Sequence, residues 1–471
     1  MDSFSCRRNR VVKDGRKTSV VTFAQRRMTS PVENVLIIGA GPCGLAAAHA
    51  LSKVLPRDTK IDLYEKAHQL DVPRGAGLGM TVNGLKSLRA IDKSVFDHLV
   101  DQHAMIIESV NYLDPLGKVL RTEHGEEMNR KQKESYGLHG VQVGWFELVS
   151  TLRETLPPNV AVHTGTRFLR YQEEENNHGL INVYFEGQEE PVHAGLLVAA
   201  DGYFSRVRQQ CVGDGHPIFG GNLFWRARVD ASLAQKFNYK SGHSAWYFGD
   251  NRVALVFTIS KGHMVWTASC PEAELVDAGI DWKTVTKGKE ESSAMSSDFI
   301  QRSMSNGEDA KHRLLKVFES FDQDQLLQLF KATDPTAIVE HALYVRPASD
   351  LRPEWFGKGR VVIMGDAAHP MRPTGQGVNQ GLEDALQLAK CIQEAGGSFE
   401  MLDRFRANRT ERLRPIMMEA ETRGKAAYQK SAVAPRYDTA VASKEQIQMN
   451  PEDFEAFLFD GADFEPLEVQ A

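Results

Sequence analysis

Cysteine is scarce and scattered. The five residues Cys6, Cys43, Cys211, Cys270 and Cys391 form no C-x-x-C pair, so neither a zinc site nor a dithiol redox motif is expected. Their odd number and wide spacing exclude a disulfide framework and point to a reducing compartment. A large charge of one sign is also missing. With 56 basic against 62 acidic residues and a formal net charge of -6, no long-range field draws the chain to nucleic acid or anionic lipid. No internal repeat and no His/Cys/Asp/Glu cluster suggesting a metal is present. One stretch, 34 to 52, lacks Asp, Glu, Lys and Arg and is long enough for a membrane span, but its three glycines and one proline argue for another use.

What is present is a globular composition. At 471 residues and 42% hydrophobic, the chain can bury two to three domains' worth of core. The charge is uneven. Residues 1–30 carry eight Lys or Arg against Asp2 and Asp14, are rich in Ser and Thr, and have no long apolar stretch. That head reads as an organelle presequence, chloroplast or mitochondrial, or as a disordered basic tail on a cytoplasmic protein.

Val35–Ile38 is an apolar run of the kind a buried parallel strand needs, and it leads into Gly39-Ala40-Gly41-Pro42-Cys43-Gly44-Leu45. The pattern G-x-G-x-x-G opens a helix with a small-residue face. Such a loop lets a pyrophosphate approach backbone N–H groups at a helix N-terminus, where dipole and free donors favour negative charge. A second apolar strand, 61–64, ends in Glu65, followed by Lys66. The Glu65 carboxylate is placed to accept from both ribose hydroxyls of an adenosine, which disfavours a 2'-phosphate there. This motif alone leaves NAD and FAD both open.

Two further apolar strands end in Gly or Asp. Leu196 to Ala200 precedes Asp201-Gly202, and Val361 to Met364 precedes Gly365-Asp366 and the loop to Gly375-Gln376-Gly377-Val378-Asn379. After that loop, Val378, Leu382, Ala385, Leu386 and Ala389 recur at helical spacing. The order of the three motifs resembles the single-component FAD-dependent monooxygenases, the group of aromatic-acid hydroxylases, urate hydroxylase-like and zeaxanthin epoxidase-like enzymes, from about Val32 to about Arg414.

The resemblance implies an α/β fold: a Rossmann-like FAD-binding domain with a parallel sheet, plus a smaller substrate domain with an antiparallel sheet. The expected layout is a head at 1–30, FAD-binding parts at 31–215 and 345–425, a substrate domain at 216–344, and an acidic tail at 426–471, whose stretch Pro451 to Ala471 reads as either a docked amphipathic helix or a loose segment. It implies FAD as cofactor, with Asp366 on the ribityl chain and the helix after Gly377 aimed at the flavin ring. NADPH or NADH serves as electron donor, and one oxygen atom of O2 passes to a small organic substrate through a flavin C4a-hydroperoxide. A reductase of the same fold and a non-catalytic flavin-binding protein are the alternatives. The substrate stays open among aromatic acids, purines, terpenoids and carotenoid-like compounds.

Two departures stand out. Where the family carries Arg at the start of a helix, this chain has Trp145, leaving Arg74 as the nearest candidate in sequence for that contact, with a solvated surface Arg as its other reading. The loop after His369 also reaches Gly377 one residue early. His369 itself is expected to be structural, since no Ser or Cys partner accompanies it. Strand-like runs between 243 and 270 fit the substrate sheet, and Trp225, Arg226, Tyr247 and Trp266 are candidate pocket residues, with core packing as their other reading. The polar, turn-rich segment 286–310 reads as a surface excursion.

Overall fold

The computed structural model describes residues 34–71, 77–173, 180–280, 307–428 and 449–469. The basic head, Arg74 and most of 286–310 fall outside them.

The apolar runs singled out above become neighbours. A six-stranded sheet has the order Gly357–Lys358, Val361–Ile363, Leu196–Ala199, Asn34–Ile38, Lys60–Tyr64, Val160–His163. All its pairings are parallel except the first, a short antiparallel one. Val35, Leu36, Ile37 and all of Leu196–Ala199 are fully enclosed, as expected of strands covered on both faces. Because the four motif strands are adjacent and parallel, the residues that follow them share one edge. Gly39, Glu65, Asp201 and Gly365-Asp366 therefore meet at the carboxyl ends of the strands, the place where open α/β sheets bind ligands.

The helix Pro42–Val54 starts with Pro at its first turn and buries Ala46, Ala47, Ala48 and Ala50. It packs against the helix Gly377–Glu394 so closely that a Cβ at Gly381 would stand 3.2 Å from the Cys43 Cβ. The glycine-rich run is thus strand, turn and helix. No helix among the described residues is long and apolar enough to cross a membrane.

The second large sheet has seven strands, ordered Val339–Val345, Ile218–Asp230, His263–Pro271, Arg252–Ser260, His243–Gly249, Ser109–Leu113, Val119–His124. It is antiparallel except where His243–Gly249 runs parallel to Ser109–Leu113. The sheet is therefore not confined to 216–344, since two strands come from within 31–215. One face is buried under the helices Gly307–Val317 and Leu326–Ala332, with Trp225, Trp266, Phe318 and Phe330 in a common core. The other face turns toward the six-stranded part: Arg228 forms a two-pronged ion pair with Glu147, at 2.7 and 3.0 Å, on the helix Trp145–Glu154.

At the C-terminus the docked reading holds for the helix Pro451–Asp460. Phe454, Leu458 and Phe459 are buried in the main core. The carbonyl end of this helix is gripped by cations, with Arg412 donating to Leu458 O at 2.8 Å and Lys86 to Phe459 O at 3.2 Å. Cations at a helix C-terminus satisfy carbonyls that have no intrahelical partner.

Candidate cofactor and substrate site

The three glycines of the first loop have three different reasons. Gly39 has φ +106, and a Cβ on it would stand 2.3 Å from Ala200 O. A Cβ on Gly44 would stand 2.0 Å from Gly39 O. Around Gly41 there is nothing within 4 Å. Two glycines thus permit close packing, and the middle one leaves open space at the start of a helix that no side chain caps. Free N–H donors facing open space are what an anionic group requires.

Glu65 accepts from Ala40 N and from Ala67 N, both at 2.9 Å. This fixes the carboxylate at the loop, and its oxygens retain capacity for hydroxyl donors. Lys66 is exposed beside it, within range of the charges of Glu65 and Asp201. Asp201 accepts from Arg206 N at 2.9 Å through one oxygen, while Oδ1 is buried without any partner. Burial raises the Asp201 pKa. Asp366 receives no hydrogen bond from the described residues, and burial pushes its pKa up to about 6, with Asp384 adding and His369 opposing. Two desolvated carboxylates short of donors fit a ligand rich in hydroxyl groups.

The turn that carries Asp366 is held from behind. Gly365 N donates to Asp384 at 2.8 Å, as does His369 Nε2 at 2.7 Å, and Arg409 Nε reaches the same carboxylate at 2.7 Å. Arg409 also pairs with Glu383, which Arg412 holds as well, and all four side chains are buried. Burial alone lifts carboxyl pKa values, but the surrounding positive groups outweigh it and hold Glu383 and Asp384 below the ordinary range. From the other side, Arg208 donates to Ala367 O at 3.1 Å and Ala368 O at 2.6 Å. His369 is thereby structural.

Not every residue singled out in the sequence faces this space. The Leu45 side chain is buried, and its N–H goes to Gly41 O at 3.0 Å. The Asn379 side chain is spent on the fold, donating to Gly79 O and Gly375 O and accepting from Thr81 N, so only its backbone remains for a ligand. Val378 is half-buried against the core. Gly375 has φ +83 with nothing within 4 Å of a Cβ, and a Cβ at Gly377 would stand 3.8 Å from Asp366 Oδ1.

Three of the four pocket candidates are turned away from the strand edge that carries Asp366. Trp225 donates to Glu340, Trp266 to Thr333, and Tyr247 to Asp322, all on the helix-covered face. Strand alternation explains the correction, because adjacent Trp225 and Arg226 must point to opposite sides. Arg226 points toward the cofactor-facing side. Its charge is felt by Tyr203, which also feels Asp366, and by His341, whose pKa is lowered to about 3 mainly by burial and then by Arg226. The polar trio Asp366, Tyr203 and Arg226 thus leads from the strand edge to the second sheet.

A family model described as an FAD binding domain matches residues 33–420. Aurachin C monooxygenase/isomerase of Stigmatella aurantiaca is 27% identical over 381 residues, covering 80% of this chain and 85% of that protein. 6-Hydroxynicotinate 3-monooxygenase of Pseudomonas fluorescens is 26% identical over 387 residues, 80% of this chain and 88% of that one. Among solved structures, Klebsiella pneumoniae HpxO complexed with FAD and uric acid superposes with TM-score 0.67 at 20% identity, covering 91% of this chain and 96% of that chain.

Proposed function

Because the chain belongs to the FAD-binding-domain family and is an FAD-dependent monooxygenase, we propose that it uses NAD(P)H and O2 to insert one oxygen atom into a small organic substrate. The balance is substrate, O2, NAD(P)H and a proton giving oxygenated substrate, NAD(P)+ and water. Bound FAD supplies two-electron acceptance from the nicotinamide and the activation of O2. The observation that carries the reading is the convergence of four motif strands on one sheet edge, beside a second sheet that offers Arg226 to a substrate.

In this assignment the N–H groups at the start of Pro42–Val54 would hold the diphosphate across open Gly41, and Glu65 would hold the adenosine ribose. Asp366 and Asp201 take hydroxyl donors. The N-terminus of Gly377–Glu394 would lie toward the ring, where its dipole would favour the negative charge of a reduced flavin.

The glycines separate binding from folding. Gly41→Val should lower FAD affinity at least tenfold with the thermal midpoint of the flavin-free protein nearly unchanged. Gly44→Ala should lower that midpoint, because its methyl meets the Gly39 carbonyl. Calorimetry and flavin titration check both, and an unchanged FAD affinity in Gly41→Val counts against the assignment. The reaction itself is tested by parallel traces of NAD(P)H consumption and oxygen uptake across a panel of aromatic acids, purines and terpenoids. A compound that stimulates both equally, with one oxygen atom found in product, is the expected result. Consumption without oxygen uptake would identify a reductase instead.

A further inference from the structure

We propose that one row of side chains across the seven-stranded sheet is the floor of the substrate site, and that it selects an elongated amphiphile with an anionic head and an acceptor at its far end. The inference rests on the monooxygenase reading only for the identity of the neighbouring cofactor.

The row follows from strand register. Arg226 stands opposite Thr267, Thr267 opposite Leu255, and Leu255 opposite Trp246. Directly opposed residues project from the same face, so the four side chains form a line perpendicular to the strands. All four are half-buried. The rows on either side are covered. On one side a Cβ at Gly77 would come within 2.4 to 2.6 Å of Phe257, Ile259 and Val265. On the other, the Tyr428 hydroxyl lies 2.7 Å from Ser269 Oγ, and Ala427 and Tyr428 pack with Val253 and Phe248. The line Arg226–Trp246 runs between these two seams, with Leu255 and Trp246 flanked by the apolar cluster of Val110, Tyr112, Phe248 and Val253, and its outward side is taken as the trough.

Its chemistry is uneven along its length. The Arg226 guanidinium makes no hydrogen bond or ion pair with any described residue, and its Nε is enclosed. Trp246 Nε1, at the other end, is likewise enclosed without a partner. Leu255 between them is apolar. Enclosed N–H groups without partners, one of them on a cation, are costly, and each is relieved by an acceptor. Three strand spacings separate the ends, about 14 Å.

The test uses FAD-loaded enzyme and titration calorimetry with four probes: hexanoate, dodecanoate, monomethyl dodecanedioate and dodecanol. Dodecanoate should bind at least tenfold more tightly than hexanoate and than dodecanol, and the half-ester more tightly again. Arg226→Gln should erase the difference between dodecanoate and dodecanol. Trp246→Phe, which keeps the ring and removes the donor, should erase the gain of the half-ester. Equal binding of dodecanoate and dodecanol by the unmodified chain, survival of their ratio in Arg226→Gln, or no binding of any probe would overturn the proposal. FAD content and thermal midpoint report whether each variant folds. If Arg226→Gln does not, the probe ratios on the unmodified chain still decide. Oxygen uptake is measured separately, so failure of the trough and failure of the monooxygenase reading give different results.

Discussion

Asp366→Ala is expected to release FAD and with it all NAD(P)H-dependent oxygen uptake. Asp366 follows the strand Val361–Ile363 at the ligand edge of the sheet, its carboxylate has no donor from the described residues, and burial lifts its pKa to about 6. A hydroxyl donor to such a carboxylate contributes about 1.5–3 kcal/mol, on the order of tenfold or more in Kd for each bond lost. Asp366→Asn keeps an acceptor oxygen and should retain part of the flavin. The same reasoning fixes a pH sign. In the flavin-free protein the raised pKa makes this group's contribution to stability greatest below about pH 4, and that contribution is lost as pH rises through about 6. Hydroxyl donors favour the ionised form, so FAD affinity should weaken as pH falls below about 6, in the opposite direction. Equilibrium dialysis of FAD between pH 5 and 8 measures it. Asp366→Ala binding FAD as tightly as the unmodified chain would remove the GD turn from the cofactor site.

What the sequence made legible was whatever is local. Val35–Ile38, 61–64, Leu196–Ala199 and Val361–Ile363 are recognisable because strands buried in a parallel sheet are predominantly apolar, and each runs within two residues into the Gly, Glu or Asp that matters. Their adjacency in the sheet could be expected only through resemblance. Pairings across long separations stayed hidden. Nothing in Ser109–Leu113 announces that it will lie beside His243–Gly249, and its alternation would serve equally well in the first domain. The assignment of Trp225 and Arg226 to one pocket could have been corrected from sequence alone, since neighbours on a strand face opposite ways. Glu383 and Asp384 also left a faint trace: two adjacent acids sit between the apolar positions Leu382 and Ala385 of the helix, and Arg409 and Arg412 follow at the same three-residue spacing as Gln380 and Glu383. That trace becomes a buried ion network only once the two helices are packed together.

Arg409→Ala should be the most damaging single change outside the ligand-facing residues. Arg409 is fully enclosed and bonds to Glu383, Asp384 and Gln380 at once. Removing one partner of a buried pair leaves uncompensated charge, which costs about 3–5 kcal/mol. The loss is not spread evenly. Glu383 keeps Arg412, whereas Asp384 is left with Gly365 N–H and His369, so the damage centres on the turn that presents Asp366. FAD affinity should therefore fall together with the thermal midpoint, although Arg409 touches no ligand. Arg409→Lys, with charge but no planar fork, should fall between. The pH dependence separates this account from simple loss of packing. In the unmodified chain Asp384 is held below the ordinary range, so its contribution is present at neutral pH and is lost as pH falls through that depressed pKa. Without Arg409 the Asp384 pKa moves upward, because burial is then opposed only by His369 and the Gly365 N–H, so the variant keeps less of that contribution and loses it at a higher pH than the unmodified chain. The difference in thermal midpoint between the two proteins should therefore be largest near pH 7 and shrink as pH falls toward about 4. A gap that stays constant across that range would show that Arg409 acts through volume rather than charge.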